Sequence, residues 1–265
     1  MRVTILASGS RGNSTLVEGG GARLLVDAGL PPKELERRAM SALGEPLGKL
    51  DGIVLTHAHG DHVGHAGPCA TAFEAPVYLT EATRRSGQLG SLPLSRVFGP
   101  RAPFAIGGLE VRPHPVPHDA PQVALVFAAG EARAALVTDL GWVHRELIEH
   151  LRGVGTLFIE ANHEPTLLAS GPYPPEIQKR IASGAGHLSN AQMAGALTAL
   201  APGLENVILM HLSQANNEPH LARRAAERAL VRHQVEIRIA AQDETLSVEV
   251  GPPRGQLSLG IPGCA

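Results

Sequence analysis

The chain has 265 residues, 43% hydrophobic and 18% charged, with a formal net charge of −2. That balance argues against tight, sequence-independent binding of nucleic acid over a uniformly basic surface. Two cysteines, Cys69 and Cys264, exclude a disulfide framework, and no apolar run reaches membrane-spanning or signal-peptide length, so a cytoplasmic protein away from membranes is expected.

Residues 2–7 read as a strand that enters the loop Ser8–Ser14. Strands over 15–18 and 22–27 follow, with Gly19-Gly20-Gly21 as their turn. The Ser8–Ser14 loop has hydroxyls and backbone N–H groups suited to phosphate, but it lacks a P-loop lysine and reads equally well as a plain turn. An amphipathic helix over 31–43 is entered through Pro31-Pro32. The branched apolar run Gly52–Leu55 then reads as a buried strand that ends in His57-Ala58-His59-Gly60-Asp61-His62. Beyond it the pattern predicts a helix over about 61–74, a strand at 77–79 and a helix from Glu81. Residues 96–117 read as β-structure with Gly107-Gly108 as a turn, and 122–128 with 133–138 form a hairpin around Gly130. Helices over 143–151, 176–183, 190–200 and 216–232 alternate with strands over 154–159, 206–210, 235–240 and 245–250. Strand-rich halves interleaved with helices predict an α/β chain of two helix-covered sheets in one domain over 1–250. The Pro/Gly-rich tail 251–265 is expected to be poorly ordered.

The histidine motif is the strongest chemical signal. Residues two apart on an extended segment point the same way, so His57 and His59 can face one ion. Asp61 and His62, on the turn made by Gly60, can face a second. Imidazole and carboxylate without thiolate suit zinc first, with manganese or iron as alternatives. His114, between two prolines, reads as structural, and His65, His144, His150, His220 and His233 read as histidines without partners.

The motif His57-x-His59-x-Asp61-His62 resembles the signature of the metallo-β-lactamase superfamily. The resemblance implies a four-layer αββα sandwich with a dinuclear metal site. It assigns His118, Asp139 and His211, each after an apolar strand-like run, as further ligands. The first ion then takes His57, His59 and His118, and the second takes Asp61, His62 and His211. Asp139 and a hydroxide bridge the two. Ile159-Glu160 and Gly186-His187-Leu188-Ser189-Asn190 resemble the motifs of tRNase Z in which a glutamate orients a proton-donating histidine, here Glu160 and His187. Such a carboxylate fixes the tautomer and raises the imidazole pKa. Tyr173-Pro174, Arg180-Ile181, His211-Leu212-Ser213-x-x-Asn216-Asn217-x-Pro219 and the opening Ala7-Ser8-Gly9-Ser10-x-Gly12-Asn13 narrow the resemblance to the YycJ/WalJ branch over residues 1–250. Glu164 and Pro175 depart from that branch's pattern near the site mouth. The implied activity is 5′-to-3′ exonucleolytic hydrolysis of DNA, with Asp61, Glu160 and His187 catalytic. Ser8, Ser10, Asn13, Asn216 and Asn217 are expected to touch phosphate or sugar. RNA, or a small cyclic phosphodiester, is the alternative substrate, and a non-catalytic scaffold is disfavoured by seven intact ligand positions.

Overall fold

The computed structural model describes residues 1–87 and 89–252. The first half of the chain lays down β1 (Arg2–Ala7), β2 (Ser14–Gly19), β3 (Ala22–Val26), β4 (Gly52–Val54), β5 (Val77–Thr80) and β6 (Ser95–Phe98). The second lays down β7 (Phe104–Ile106), β8 (Leu109–Val116), β9 (Gln122–Ala129), β10 (Ala132–Val137), β11 (Thr156–Glu160), β12 (Asn206–Met210) and β13 (Glu236–Ile239). The last strand, β14 (Leu246–Glu249), returns to the first sheet. The sheets run β14-β1-β2-β3-β4-β5-β6 and β13-β12-β11-β10-β9-β8-β7. In each, hairpin-connected antiparallel strands give way to parallel ones: from β3 onward in the first sheet, from β10 onward in the second. Antiparallel neighbours need only tight turns, whereas parallel neighbours need crossovers, and the crossovers are where the helices lie.

The helices are α1 (Pro32–Leu43), α2 (Gly60–Val63), α3 (Ala66–Ala72), α4 (Glu81–Arg85), α5 (Arg145–Leu151), α6 (Pro165–Ser170), α7 (Pro175–Ile181), α8 (Asn190–Leu200) and α9 (Pro219–Ala229). Three apolar clusters define the layers. Leu35, Ala39, Cys69 and Phe73 pack on Leu16, Leu25 and Ile53 of the first sheet. Leu147, Met193, Leu197 and Ala226 pack on Leu157, Val207 and Leu209 of the second. Between the sheets lie Ile5, Val17, Leu24, Leu125, Phe127 and Phe158. The architecture is therefore the four-layer αββα sandwich. At one end the sheets are pinned by the turns Gly20 and Gly108, where Gly108 N–H donates to Gly20 O at 2.7 Å. Gly20 has φ +58, and a Cβ there would lie 2.2 Å from the Gly108 carbonyl carbon, so only glycine fits.

Several boundaries differ from the sequence expectation. The helix expected over 61–74 is two helices, α2 and α3, broken at His65, whose N–H is diverted to Ala28 O at 2.9 Å. The helix expected over 216–232 starts only at Pro219, leaving Asn216 and Asn217 in the preceding loop. Helix α6 was not expected; it is a single short element started by Pro165. Of the tail, residues 253–265 lie outside the described residues. Among the described residues no helix is long and apolar enough to cross a membrane.

Candidate metal centre

The ends of β3, β4, β8, β10, β11 and β12 meet at one end of the sandwich and deliver Asp27, His57, His118, Asp139, Glu160 and His211. Short α2 adds Asp61 and His62. Among the described residues four non-glycines have left-handed backbone: Asp27 (φ 61), Glu74 (φ 49), Asp139 (φ 56) and His211 (φ 54). Three of the four point side chains into this centre. Such residues cost of order 1 kcal/mol or more each, and here that strain aims ligand-type groups.

Two groups of potential ligand atoms stand side by side, each drawn together to within 4.8 Å: His57, His59 and His118, and Asp61, His62 and His211. Asp139 groups with His57 and His62 on one side and with His211, Glu160 and His187 on the other. It therefore sits between the two sets. Each imidazole is anchored through one nitrogen. His57 Nδ1 is 3.1 Å from Thr56 Oγ1, His118 Nδ1 is 3.1 Å from Gly186 O, and His62 Nδ1 is 2.8 Å from Asp27 Oδ2. His211 Nδ1 is 3.1 Å from Glu160 Oε1, and His59 Nε2 is 3.2 Å from Asp119 Oδ1. The second nitrogen of each belongs to the ligand groups, and those of His57 and His211 have no hydrogen-bond partner, the arrangement that orients metal-binding histidines.

The residues fit divalent cations on independent grounds. His57 Nε2, Asp139 Oδ2 and His211 Nε2 are buried and make no hydrogen bond. Leaving three such atoms unsatisfied would be costly in an apolar interior, and cations held by the two ligand groups would satisfy all of them. Burial opposes ionisation of Asp139, but the charges of His211 and His62 hold it well below the usual carboxylate range. Burial, then His62, drives His57 well below the ordinary imidazole value, so it offers a lone pair. The single described cysteine, Cys69, is buried in the core away from the centre, so the donor set is nitrogen and oxygen only.

Glu160 is fully buried and touches the opposite side of the centre. Its Oε1 is 2.7 Å from His187 Nδ1, and its Oε2 accepts the N–H groups of Leu140 and Leu188, both at 3.1 Å. Burial would raise Glu160, yet the His187 imidazole beside it brings it down to about 2. Burial correspondingly lowers His187, but Glu160 outweighs it and the net shift is upward. His187 lines a cleft of about 450 Å³ with Ser10, Asp61, Tyr173 and Arg180.

The residues expected to touch substrate take different places. Ser8 is buried and its Oγ accepts the His211 N–H at 2.8 Å. Asn13 is buried and its Nδ2 reaches Asp61 Oδ2 at 3.2 Å and His62 Nε2 at 3.0 Å. Asn217 is buried against Ala161 O and Asn190, and Asn216 against Ser213. Of the five, Ser10 alone lines the cleft. Ser8 and Asn13 therefore brace residues of the centre. Sequence reasoning also passed over Asp27, which braces His62, and Asp119, which braces His59 and pairs with Arg180 at 2.5 Å. The signal for Asp27 was present: like Asp139, it follows an apolar strand. His144 and His150 were expected to have no partner, but both rings lie against buried His114.

The metallo-β-lactamase superfamily domain matches residues 7–168. The chain belongs to the metallo-β-lactamase superfamily, as a metal-dependent hydrolase whose fold and ligand clusters imply divalent-metal binding. Within that class it is 32% identical to the exodeoxyribonuclease YycJ of Bacillus anthracis over 87% of this chain and 89% of the relative. It is 34% identical to the exodeoxyribonuclease WalJ of Streptococcus pneumoniae serotype 2 (strain D39), over 83% and 85%. The crystal structure of the metallo-β-lactamase-fold protein YhfI from Bacillus subtilis superposes with a TM-score of 0.72 at 18% identity, covering 92% of this chain and 98% of that one. That likeness concerns the fold alone.

Proposed function

We propose that the protein is a phosphodiester hydrolase using two divalent ions, zinc first, and that it acts as a 5′-to-3′ exonuclease on DNA. His57, His59 and His118 would hold one ion, Asp61, His62 and His211 the other, with Asp139 between them. When bound, the ions supply charge for the non-bridging phosphate oxygens and lower the pKa of an attacking water. Asp61, whose side chain is 25% exposed on the cleft wall, would orient that water.

The observation that carries the reading is the 2.7 Å contact between Glu160 and His187. A metal site alone serves many hydrolyses. A histidine whose Nδ1–H donates to a buried carboxylate, its pKa raised and its ring lining the cleft, is suited to act as a general acid for a poor leaving group. The water oxygen forms a bond to phosphorus, the bond from phosphorus to the departing 3′-oxygen breaks, and Nε2 of His187 gives that oxygen its proton. The names of the relatives, both exodeoxyribonucleases over most of the chain, support DNA as the substrate.

The test is activity of metal-reconstituted protein on 5′-phosphorylated duplex DNA, single-stranded RNA and a 2′,3′-cyclic nucleotide in parallel, with Asp61→Ala and His187→Ala. Release of nucleotides from DNA ends, lost in both variants, is the expected outcome. Turnover of the cyclic nucleotide alone would overturn the exonuclease reading.

A further inference from the structure

We propose a second, separate metal site on the helix-covered side of the second sheet, in which His114, His144 and Glu146 bind one borderline divalent cation of the zinc, cobalt or nickel type. His114 lies on β8, where its neighbours two residues away, Arg112 and Val116, share its face; Val116 packs in the core beneath α5 and α8. His144 immediately precedes α5, and Glu146 stands in its first turn. One ligand atom from each of the three lies within 4.8 Å of the others.

Two features separate this group from a chance cluster of histidines. His114 is 6% exposed, and its Nε2 is buried with no hydrogen-bond partner. Nδ1 of His144 is likewise buried and partnerless. Two orphaned imidazole nitrogens beside a carboxylate have no stabilising role in a bare protein, whereas they make three ligands of a tetrahedral site that leaves one position open. The ring of His150, 4.7 Å from that of His114, holds it from behind, and His150 Nε2 is fixed by its own hydrogen bond to Arg112 O at 3.2 Å. Burial, with His150 and Arg101 nearby, pushes His114 down to about 4, which leaves it neutral and able to donate a lone pair.

The charged side chains that act on His114 are Arg101 and Glu146, while Arg112 on the same strand face pairs with Glu110. Arg101 and Glu146 pair at 3.3 Å, with side chains 59% and 66% exposed. An ion pair so exposed is worth little, so Glu146 can turn from the guanidinium to a cation at small cost. Metal–nitrogen bonds of about 2.0–2.1 Å require the ligand atoms to draw closer together. Exposed Glu146 and the half-buried His144 can move in; His114 is held by its packing. Occupancy would clamp β8 to the segment leading from Asp139 into α5.

The chain carries a single tryptophan. Trp142 is 49% exposed, with its ring 5.6 Å from that of His144, so it reports on this site. The test is titration of metal-stripped protein with cobalt(II) and with zinc, following ion stoichiometry and Trp142 fluorescence. Wild type is expected to bind one ion more than His144→Ala or Glu146→Ala, whatever the count at the hydrolase centre. A cobalt-dependent quenching phase should be lost in both variants, with affinity reduced by at least about tenfold. Equal stoichiometry in wild type and the variants, or an unchanged quenching phase, overturns the proposal. Because Glu146 is an exposed side chain, its replacement carries the comparison if His144→Ala does not fold.

Discussion

Asp27 and Asp139 lie at the two nitrogens of one imidazole: Asp27 Oδ2 is hydrogen-bonded to His62 Nδ1 at 2.8 Å, and Asp139 Oδ2 approaches His62 Nε2 at 3.3 Å. The first carboxylate comes from the end of β3 and the second from just beyond β10, the places where each sheet changes from antiparallel to parallel pairing. Both have left-handed backbone. The two halves thus contribute matching aspartates with different tasks. Asp139 belongs to the ligand groups. Asp27 also accepts the Thr56 N–H at 2.8 Å, so it fixes the strand end that carries His57 as well as the His62 ring.

Asp27→Asn keeps the shape and removes the charge behind His62. Loss of such an outer partner costs about 10–100-fold in metal affinity. The expected outcome is weaker binding of one ion, read by competition with a chelating indicator, while the other ion is held nearly as tightly. Equal loss at both would show that Asp27 serves the folding of the whole centre.

His187→Ala should lower kcat on DNA by about 10²–10⁴-fold, the range for a positioned general acid. The decisive comparison is with a nitrophenyl phosphodiester, whose leaving group departs without a proton. That substrate should lose far less in His187→Ala, with metal content unchanged. Equal losses on both substrates would remove the acid role and leave His187 a support for neighbouring His211.

Much of this centre was legible because each ligand-type residue follows an apolar run, and a charged group there has no reason to exist unless something satisfies it. What the sequence did not reveal were the long-range contacts of the residues expected to touch substrate. Ser8 and Asn13 have the composition of a phosphate-binding loop, but Ser8 accepts from His211, 203 positions away, and Asn13 from its place beside Asp61 and His62 is spent on the framework. Asp27 and Asp119 lie outside the histidine motif, and only the strands bring them behind His62 and His59. The pairing of His114 with His144 and His150 depends on β8 lying beneath α5, which periodicity does not reveal.

Ser8→Ala and Ser10→Ala separate framework from cleft. Removing the Ser8 hydroxyl leaves the buried His211 N–H without its acceptor, which costs about 1–3 kcal/mol. Urea unfolding should show that loss for Ser8→Ala and almost none for Ser10→Ala, whose effect should instead fall on KM. Comparable stability of the two variants would contradict the buried role of Ser8.

The loop behind the centre is tied to α1 through Arg38. Its guanidinium is 7% exposed; Nη1 donates to Leu6 O and Gln242 O, and Nε donates to Glu34 Oε1 at 2.7 Å. Gln242 in turn donates to Gly12 O, beside Asn13. Hydrogen bonds from Arg37 and then Arg38 bring the Glu34 carboxyl down to about 2. A carboxylate whose folded-state pKa is depressed stabilises the protein above its unfolded value, about 4.5, and that contribution disappears as pH falls through about 2. Glu34 is 30% exposed and Arg37 65%, so solvent screening reduces the contribution to about 1 kcal/mol. Glu34→Gln should therefore be less stable than wild type by that amount near neutral pH, with the gap narrowing between pH of about 4.5 and about 2 in parallel denaturant titrations. A gap independent of pH would assign the effect to packing of the side chain and not to its charge.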